Sequence, residues 1–142
     1  MEYFGNKESM KLEKNAFLCS QRCPADVVLK SYDWAKAQRE ADNCIVCGNH
    51  SQIEKDVFDI LLNGKQALIL VLARGMKTRW SHKILTAIRK NRLVIISPFD
   101  KNTKLVTHDT AEKRNRVIIE ISERIKIGYK TTNGQLNRYR AF

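Results

Sequence analysis

Polar and cationic side chains recur where the apolar segments of this 142-residue chain end. Hydroxyl, amide and guanidinium groups at such positions are the donors that bind phosphate oxygens, and a glycine lets a ligand approach the backbone closely. The pattern therefore predicts a binding site for a phosphate-bearing ligand. Its candidate residues are Ser20, Gln21, Arg22, Gly48, Asn49, Arg74, Gly75, Ser97, Arg114, Asn115 and Arg116.

The segment around Asn115 carries the most informative of these residues. Helical spacing places Ala111, Asn115 and Ile118 on one face, and the apolar members of that face predict that it packs against a sheet. A polar side chain there needs a partner, so Asn115 either ties loops together or binds ligand. Arg114 and Arg116 flank it. The alternative is a basic helix face in contact with solvent, and the loop residues could equally be ordinary turns, caps and surface arginines.

Four cysteines fall into two pairs, Cys19 with Cys23 and Cys44 with Cys47. Four thiolates are the right number for a structural zinc site. Against zinc, Ile45-Val46 between the second pair is typical of a strand, in which positions 44 and 47 face opposite sides. We expect no metal and keep zinc as an alternative.

Catalytic and cofactor motifs are missing. There is no Walker motif, no Gly-x-Gly-x-x-Gly, no Gly-x-Ser-x-Gly and no His-Glu-x-x-His. Glu54 and Asp56 are most simply surface charges on a helix. We therefore expect no cofactor and favour a binding module over an enzyme.

The elements that must position these residues alternate regularly. Apolar runs predict five strands, and the runs at 66–72 and 92–97 are apolar enough for strands covered on both faces. Helical periodicity predicts four helices between them. The fold class is thus α/β, an open Rossmann-like sheet of about five mostly parallel strands with helices on both faces, for which 3-2-1-4-5 is the expected strand order. The predicted strands are 15–20, 44–48, 66–72, 92–97 and 124–129, and the helices are 25–41, 51–62, 81–91 and 110–122.

Charge is distributed unevenly along the chain. Residues 1–73 carry nine Lys and Arg against ten Asp and Glu, whereas residues 74–142 carry seventeen against five. A one-sided excess of positive charge is typical of proteins that bind a polyanion, because each cation near a phosphate releases a condensed counterion. The charge pattern therefore favours nucleic acid or a nucleotide as partner.

The first fourteen residues mix charges and lack an apolar stretch, which predicts a flexible leader or a strand-edge extension ahead of a single domain at 15–142. The longest apolar run, Ala67 to Ala73, is too short to cross a membrane. We see no secretory signal and expect a cytoplasmic protein without a membrane partner.

Four segments carry a resemblance to a known family: Phe17 to Arg22, Leu70 to Gly75, Arg92 to Phe99 and Glu112 to Ile118. Together they resemble the DNA-processing protein A (DprA/Smf) family, which shares a superfamily with the Lonely Guy enzymes. The most specific is Glu112 to Ile118, which is similar to the family's arginine-asparagine-arginine helix. The resemblance implies a Rossmann-like fold that binds single-stranded DNA or a nucleotide in a basic pocket at the carboxyl ends of the strands. It assigns Arg22, Arg74, Arg114 and Arg116 to that pocket, and Gly134 to a ligand loop after the last strand.

The chain also departs from the family. Gly48-Asn49-His50-Ser51 replaces the expected glycine-rich segment, and the glutamate-bearing loop of the Lonely Guy enzymes has no counterpart. The family's interaction with a recombinase does not transfer, whereas the resemblance still implies a role in DNA processing and DNA uptake. The first hypothesis is therefore a module that binds nucleic acid, above all single-stranded DNA, or a nucleotide, without turnover and as a monomer or a homodimer. The alternatives are N-glycosidic cleavage of a nucleoside monophosphate and a zinc-bearing interaction domain.

Overall fold

The computed structural model describes residues 1–130, and within that range the chain forms a six-stranded sheet with four α-helices. A short 3-10 helix (Lys7–Lys11) lies between the first two strands. The strands are β1 (Glu2–Gly5), β2 (Lys14–Leu18), β3 (Cys44–Cys47), β4 (Leu68–Val71), β5 (Leu93–Ser97) and β6 (Arg124–Ile127). The helices are α1 (Ala25–Glu40), α2 (Gln52–Leu62), α3 (His82–Arg89) and α4 (His108–Ile121).

The sheet order is β1-β5-β4-β3-β2-β6, and β2 to β6 all run parallel. The predicted Rossmann-like parallel sheet is confirmed, but the expected order 3-2-1-4-5 is wrong. The five predicted strands lie in the order 4-3-2-1-5, because the chain steps outward from β2 to β5 and then returns to place β6 beside β2. Apolar runs identify which segments are strands, but they do not show which strands pair. The order of the strands in the sheet could therefore not be predicted from these runs.

The sheet is buried on both faces. Side chains alternate between two apolar layers along each central strand, and the residues of β4 and β5 are at most 4% exposed. One layer packs under α1, α2 and α3, and the other packs under α4 with Met10 of the 3-10 helix. The prediction of helices on both faces is confirmed, with three helices on one side and one on the other.

The N-terminal segment forms β1, a strand that was not among the five predicted from the sequence. β1 pairs antiparallel with β5, Tyr3 lying opposite Ile96. The buried ammonium of Lys14 donates hydrogen bonds to the carbonyls of Met10 and Leu12, at 2.8 Å each. Of the two interpretations of residues 1–14, the strand-edge extension therefore describes the segment and the flexible leader does not. Among residues 1–130, no helix has the length and apolar character needed to cross a membrane.

Candidate nucleic-acid interface

Because β2 to β6 are parallel, the segments that follow them meet along one edge of the sheet. We call this the carboxyl edge. It consists of the loops 19–24, 48–51, 72–81 and 98–107 and of residues 128–130 after β6. The predicted site residues that follow a strand therefore all lie along this edge, apart from Gly134, which lies outside the described residues.

Arg114 connects α4 to the end of β3. It is only 2% exposed, and its guanidinium donates to the carbonyl of Gly48 at 2.7 Å and to Oδ1 of Asn115 at 2.9 Å. Gly48 makes this approach possible, since a Cβ at that position would lie 2.8 Å from Nε of Arg114. Gly48, Arg114 and Asn115 are thus brought together, as the prediction of a shared site requires. Desolvation by burial lowers the pKa of Arg114 from its ordinary value.

A buried carboxylate lies beside this cluster. Glu54 is 3% exposed, which corrects the expectation that it is a surface charge. Its two oxygens accept hydrogen bonds from the backbone N–H groups of Cys19 at 2.9 Å, His50 at 2.8 Å and Ser51 at 3.2 Å. Amides at the start of α2, which could otherwise receive an anion, are therefore occupied by the chain's own carboxylate.

Two buried polar atoms near Gly48 have no hydrogen-bond partner among residues 1–130. They are Nη2 of Arg114 and Oδ1 of Asn49. Asn49 adopts a left-handed backbone conformation with φ of 53°, which asparagine tolerates better than most residues. Buried polar groups are nearly always paired, so each of these two atoms can take a hydrogen-bond partner at the end of β3.

The loops after β4 and β5 are tied to each other. Ser97 is fully buried, and its hydroxyl donates to the carbonyl of Arg74 at 2.6 Å and accepts from the N–H of Phe99 at 3.2 Å. A Cβ at Gly75 would lie 2.4 Å from the carbonyl oxygen of Asp100, so the two loops touch backbone to backbone. Ser97 and Gly75 therefore hold the two loops together at the carboxyl edge, and the predicted contact of each with a ligand stays a prediction.

A groove of about 520 Å³ opens between these two loops. Its lining contains five cationic side chains and, within residues 1–130, no carboxylate. None of the five forms an ion pair with another described residue. We call it the basic groove, and its cations are Arg74, Lys77, Arg79, Lys101 and Lys104.

Of these cations, only Arg74 is among the site residues predicted from the sequence. The other four lie in two loops without a motif, and the only signal was the high charge of the second half of the chain. That signal indicated that part of the surface is positively charged, but it did not show which part.

Of the remaining predicted residues, three lie in the loop after β2 and one lies on α4. Gln21 and Arg22 are exposed in the loop after β2, and the N–H of Ser20 donates to the carbonyl of Tyr129 at 2.8 Å. Arg116 is exposed on α4 and pairs with Glu112 one turn earlier at 3.0 Å. The sequence had grouped Arg116 with Arg114, but one of them is paired on the surface and the other is buried.

The four cysteines do not gather into a metal site. Cys44 lies in the layer under α4, whereas Cys19 and Cys47 lie in the layer on the opposite face of the sheet. Burial raises the pKa of Cys19 to about 12 and that of Cys44 to about 11, which disfavours the thiolates that zinc needs. No cluster of three or more candidate metal ligands occurs in the described part of the chain. The zinc alternative therefore has no geometric support there.

Comparison with known proteins gives matches among solved structures. No protein-family model matches the sequence, and no curated protein matches it either. The fold matches DNA processing protein A from Helicobacter pylori, whose structure concerns its single-stranded DNA binding mode, with a TM-score of 0.75 and 17% identity. It also matches DNA processing protein A (DprA) from Streptococcus pneumoniae, with a TM-score of 0.73 and 20% identity.

Both matches cover 94% of this chain, but only 61% of the Helicobacter pylori chain and 47% of the Streptococcus pneumoniae chain. The protein is thus similar to one part of these longer proteins. Residues 1–130 therefore have the Rossmann-like fold of DNA processing protein A, as the sequence resemblance implied.

Proposed function

We propose that this chain binds single-stranded nucleic acid, and single-stranded DNA in particular, along its carboxyl edge. The observation that carries the proposal is the basic groove, where five cations lie together without an acidic partner among the described residues. Such a concentration of like charge is unfavourable unless a polyanion neutralises it. The similarity in fold to a protein with a single-stranded DNA binding mode supports the same function.

The groove also has a size and position suited to a strand. It lies between the loops after β4 and β5, and it is open to solvent, so a chain of phosphates can pass through it. Four of its five cations are exposed lysine or arginine side chains. Lysine and arginine contacts to phosphates position a nucleic acid without reading its sequence, so we expect little preference among bases from this groove alone.

The enzymatic alternative finds less support in the structure. Cleavage of an N-glycosidic bond needs a carboxylate free to reach the sugar, and the buried carboxylate near the carboxyl edge is Glu54. Its oxygens already accept three backbone hydrogen bonds. A group held in this way supports the loops after β2 and β3, and we assign it that role.

Fluorescence anisotropy with a labelled oligo-dT tests the proposal. For single strands the logarithm of the affinity falls by about 0.7 per phosphate contact for each logarithmic unit of salt, so five contacts give a slope of up to about −3.5. We expect the double variant Lys101→Gln/Lys104→Gln to bind more weakly and to lower the slope by about 1.4. The matched control is Lys36→Gln/Lys65→Gln, which removes the same charge from exposed positions outside the carboxyl edge.

Equal losses in the two double variants would show that only the net charge matters and would overturn the assignment to the groove. Equal affinity for duplex DNA of the same length would remove the preference for single strands. Displacement of the oligonucleotide by a nucleoside monophosphate at the same phosphate concentration would favour a free nucleotide as ligand. A cytoplasmic location and a homodimer belong to the same hypothesis, and the second is tested by the mass of the protein in solution.

A further inference from the structure

A second cleft adjoins the basic groove and has a different character. Its volume is about 740 Å³, and it lies between the edge strand β1, the loop after β4 and the start of α3. Aromatic and apolar side chains contribute much of its lining: Tyr3, Phe4, Met76, Trp80 and Leu85. We call it the aromatic cleft.

The two cavities share one wall. The segment 76–79, which contains Lys77 and Arg79, lines both the basic groove and the aromatic cleft. A ligand lying across this segment would meet cations on one side and aromatic rings on the other. A nucleotide matches this arrangement, because its charged phosphate can contact the cations while the apolar faces of its flat base can contact the aromatic rings.

Trp80 is the ring best placed to receive a base. It is half-buried, so it has both a fixed position and an exposed part. The ammonium of Lys77 lies over its ring, 5.1 Å from the centroid. A cation–π contact of this kind on a partly exposed ring is weak, and a phosphate is a stronger partner for the same ammonium.

We propose that the aromatic cleft receives a base of the bound strand, which stacks on Trp80 while the neighbouring phosphates lie in the basic groove. Lys77 then exchanges its contact with the ring for a contact with a phosphate, which uncovers the ring for the base. This inference rests on the proposed function and deepens it. It makes the ligand a strand with unpaired bases, since a base inside a duplex is already stacked on its neighbours and cannot enter the cleft.

The test compares two labelled ligands, an oligo-dT and an abasic oligodeoxynucleotide with the same number of phosphates. We expect the wild-type protein to bind oligo-dT more tightly, by roughly five- to a hundredfold for one stacked base. Trp80→Leu should remove that difference and leave the salt dependence unchanged, because it removes a ring and no charge. Trp80→Phe keeps a ring and should retain a large part of the difference.

Tryptophan fluorescence provides an independent measurement. The other tryptophan, Trp34, stacks on Phe17 in the core with centroids 5.2 Å apart, so the variant Trp34→Phe isolates the emission of Trp80. We expect oligo-dT to quench that emission and the abasic strand to leave it nearly unchanged.

The outcomes separate this inference from the proposed function. If wild-type protein binds both ligands equally and Trp80→Phe and Trp80→Leu change nothing, base stacking at Trp80 is wrong while strand binding stands. If neither ligand binds, the proposed function itself fails. Should Trp80→Leu unfold, as a thermal melt would show, the comparison of Trp80→Phe with wild type and the quenching measurement still decide the matter.

Discussion

Replacing Gly48 by alanine would place a methyl group against the buried side chain of Arg114. The added Cβ would lie 2.8 Å from Nε, 2.9 Å from Cδ and 3.0 Å from Cζ of that arginine. These distances are too short for non-bonded atoms, so the guanidinium must move away from the Gly48 carbonyl to which it donates at 2.7 Å. Its other described bond, to Asn115, would be strained by the same movement.

The expected loss of stability follows from these contacts. A hydrogen bond from a charged group contributes about 1.5–3 kcal/mol. Forcing an extra methyl group into a packed site costs about 1–3 kcal/mol more. We therefore expect Gly48→Ala to lower the free energy of unfolding by about 3–6 kcal/mol, which for a domain of this size lowers Tm by roughly 10–20 °C.

Thermal and urea unfolding of matched variants measures the effect. Gly128→Ala is the control at the same edge, because its Cβ would meet Cys19 and Ser31 at 3.1 Å and should be tolerated better. In an Arg114→Ala background the clash is gone, and Gly48→Ala should cost less than about 1 kcal/mol. If Gly48→Ala lowers the free energy of unfolding no more than Gly128→Ala does, the predicted clash with Arg114 is wrong. It is also wrong if Gly48→Ala costs the same free energy with and without Arg114.

Three further results are expected. Ser97→Ala should cost about 1–2 kcal/mol in urea unfolding, because the backbone groups that its hydroxyl pairs lose their partner; an unchanged midpoint would contradict this role. In the native protein a thiol reagent should label the half-buried Cys23 first and Cys47 last, since burial raises the pKa of Cys47, and simultaneous labelling would argue against the packing. Partial burial lowers the pKa of His50 below its ordinary 6.5, so the unfolded chain binds the proton more tightly and stability should fall as pH drops below about 6.5; a His50→Asn variant whose melting temperature falls just as steeply would refute this.

Apolar pattern alone located the secondary structure of residues 15–130 well. The run at 66–72 contains β4, and the run at 92–97 contains β5, because a strand covered on both faces needs apolar residues at nearly every position. The edge strand β1 was harder to recognise. It is four residues long and lies at the sheet edge, where a strand needs few apolar side chains, so its sequence resembles that of a loop.

The buried charges were missed for a different reason. In α4 the buried positions are Ala111, Arg114, Asn115 and Ile118, which is a regular helical face. Helical spacing therefore placed Arg114 on the buried face, and its charge was the only reason to expect the side chain at the surface. Glu54 fits the buried face of α2 in the same way, and the Ser51-x-x-Glu54 capping box was a visible signal for it. Helical spacing showed which positions face inward, but it could not show that a charged residue there has a partner.

The position of Arg114 changes what mutagenesis of this protein can reveal. Arg114 is buried at the end of β3, where its guanidinium donates to the carbonyl of Gly48 and to Asn115, and removing it takes that donor from both acceptors at a cost of about 1–3 kcal/mol each. Loss of nucleic-acid binding in an Arg114 variant would therefore report loss of structure together with loss of contact. Lys101 and Lys104 are exposed and unpaired among the described residues, so charge removal there changes the electrostatic attraction while the fold is kept. The basic groove is where binding can be separated from stability, although the arginine-asparagine-arginine segment is the more conspicuous feature of the sequence.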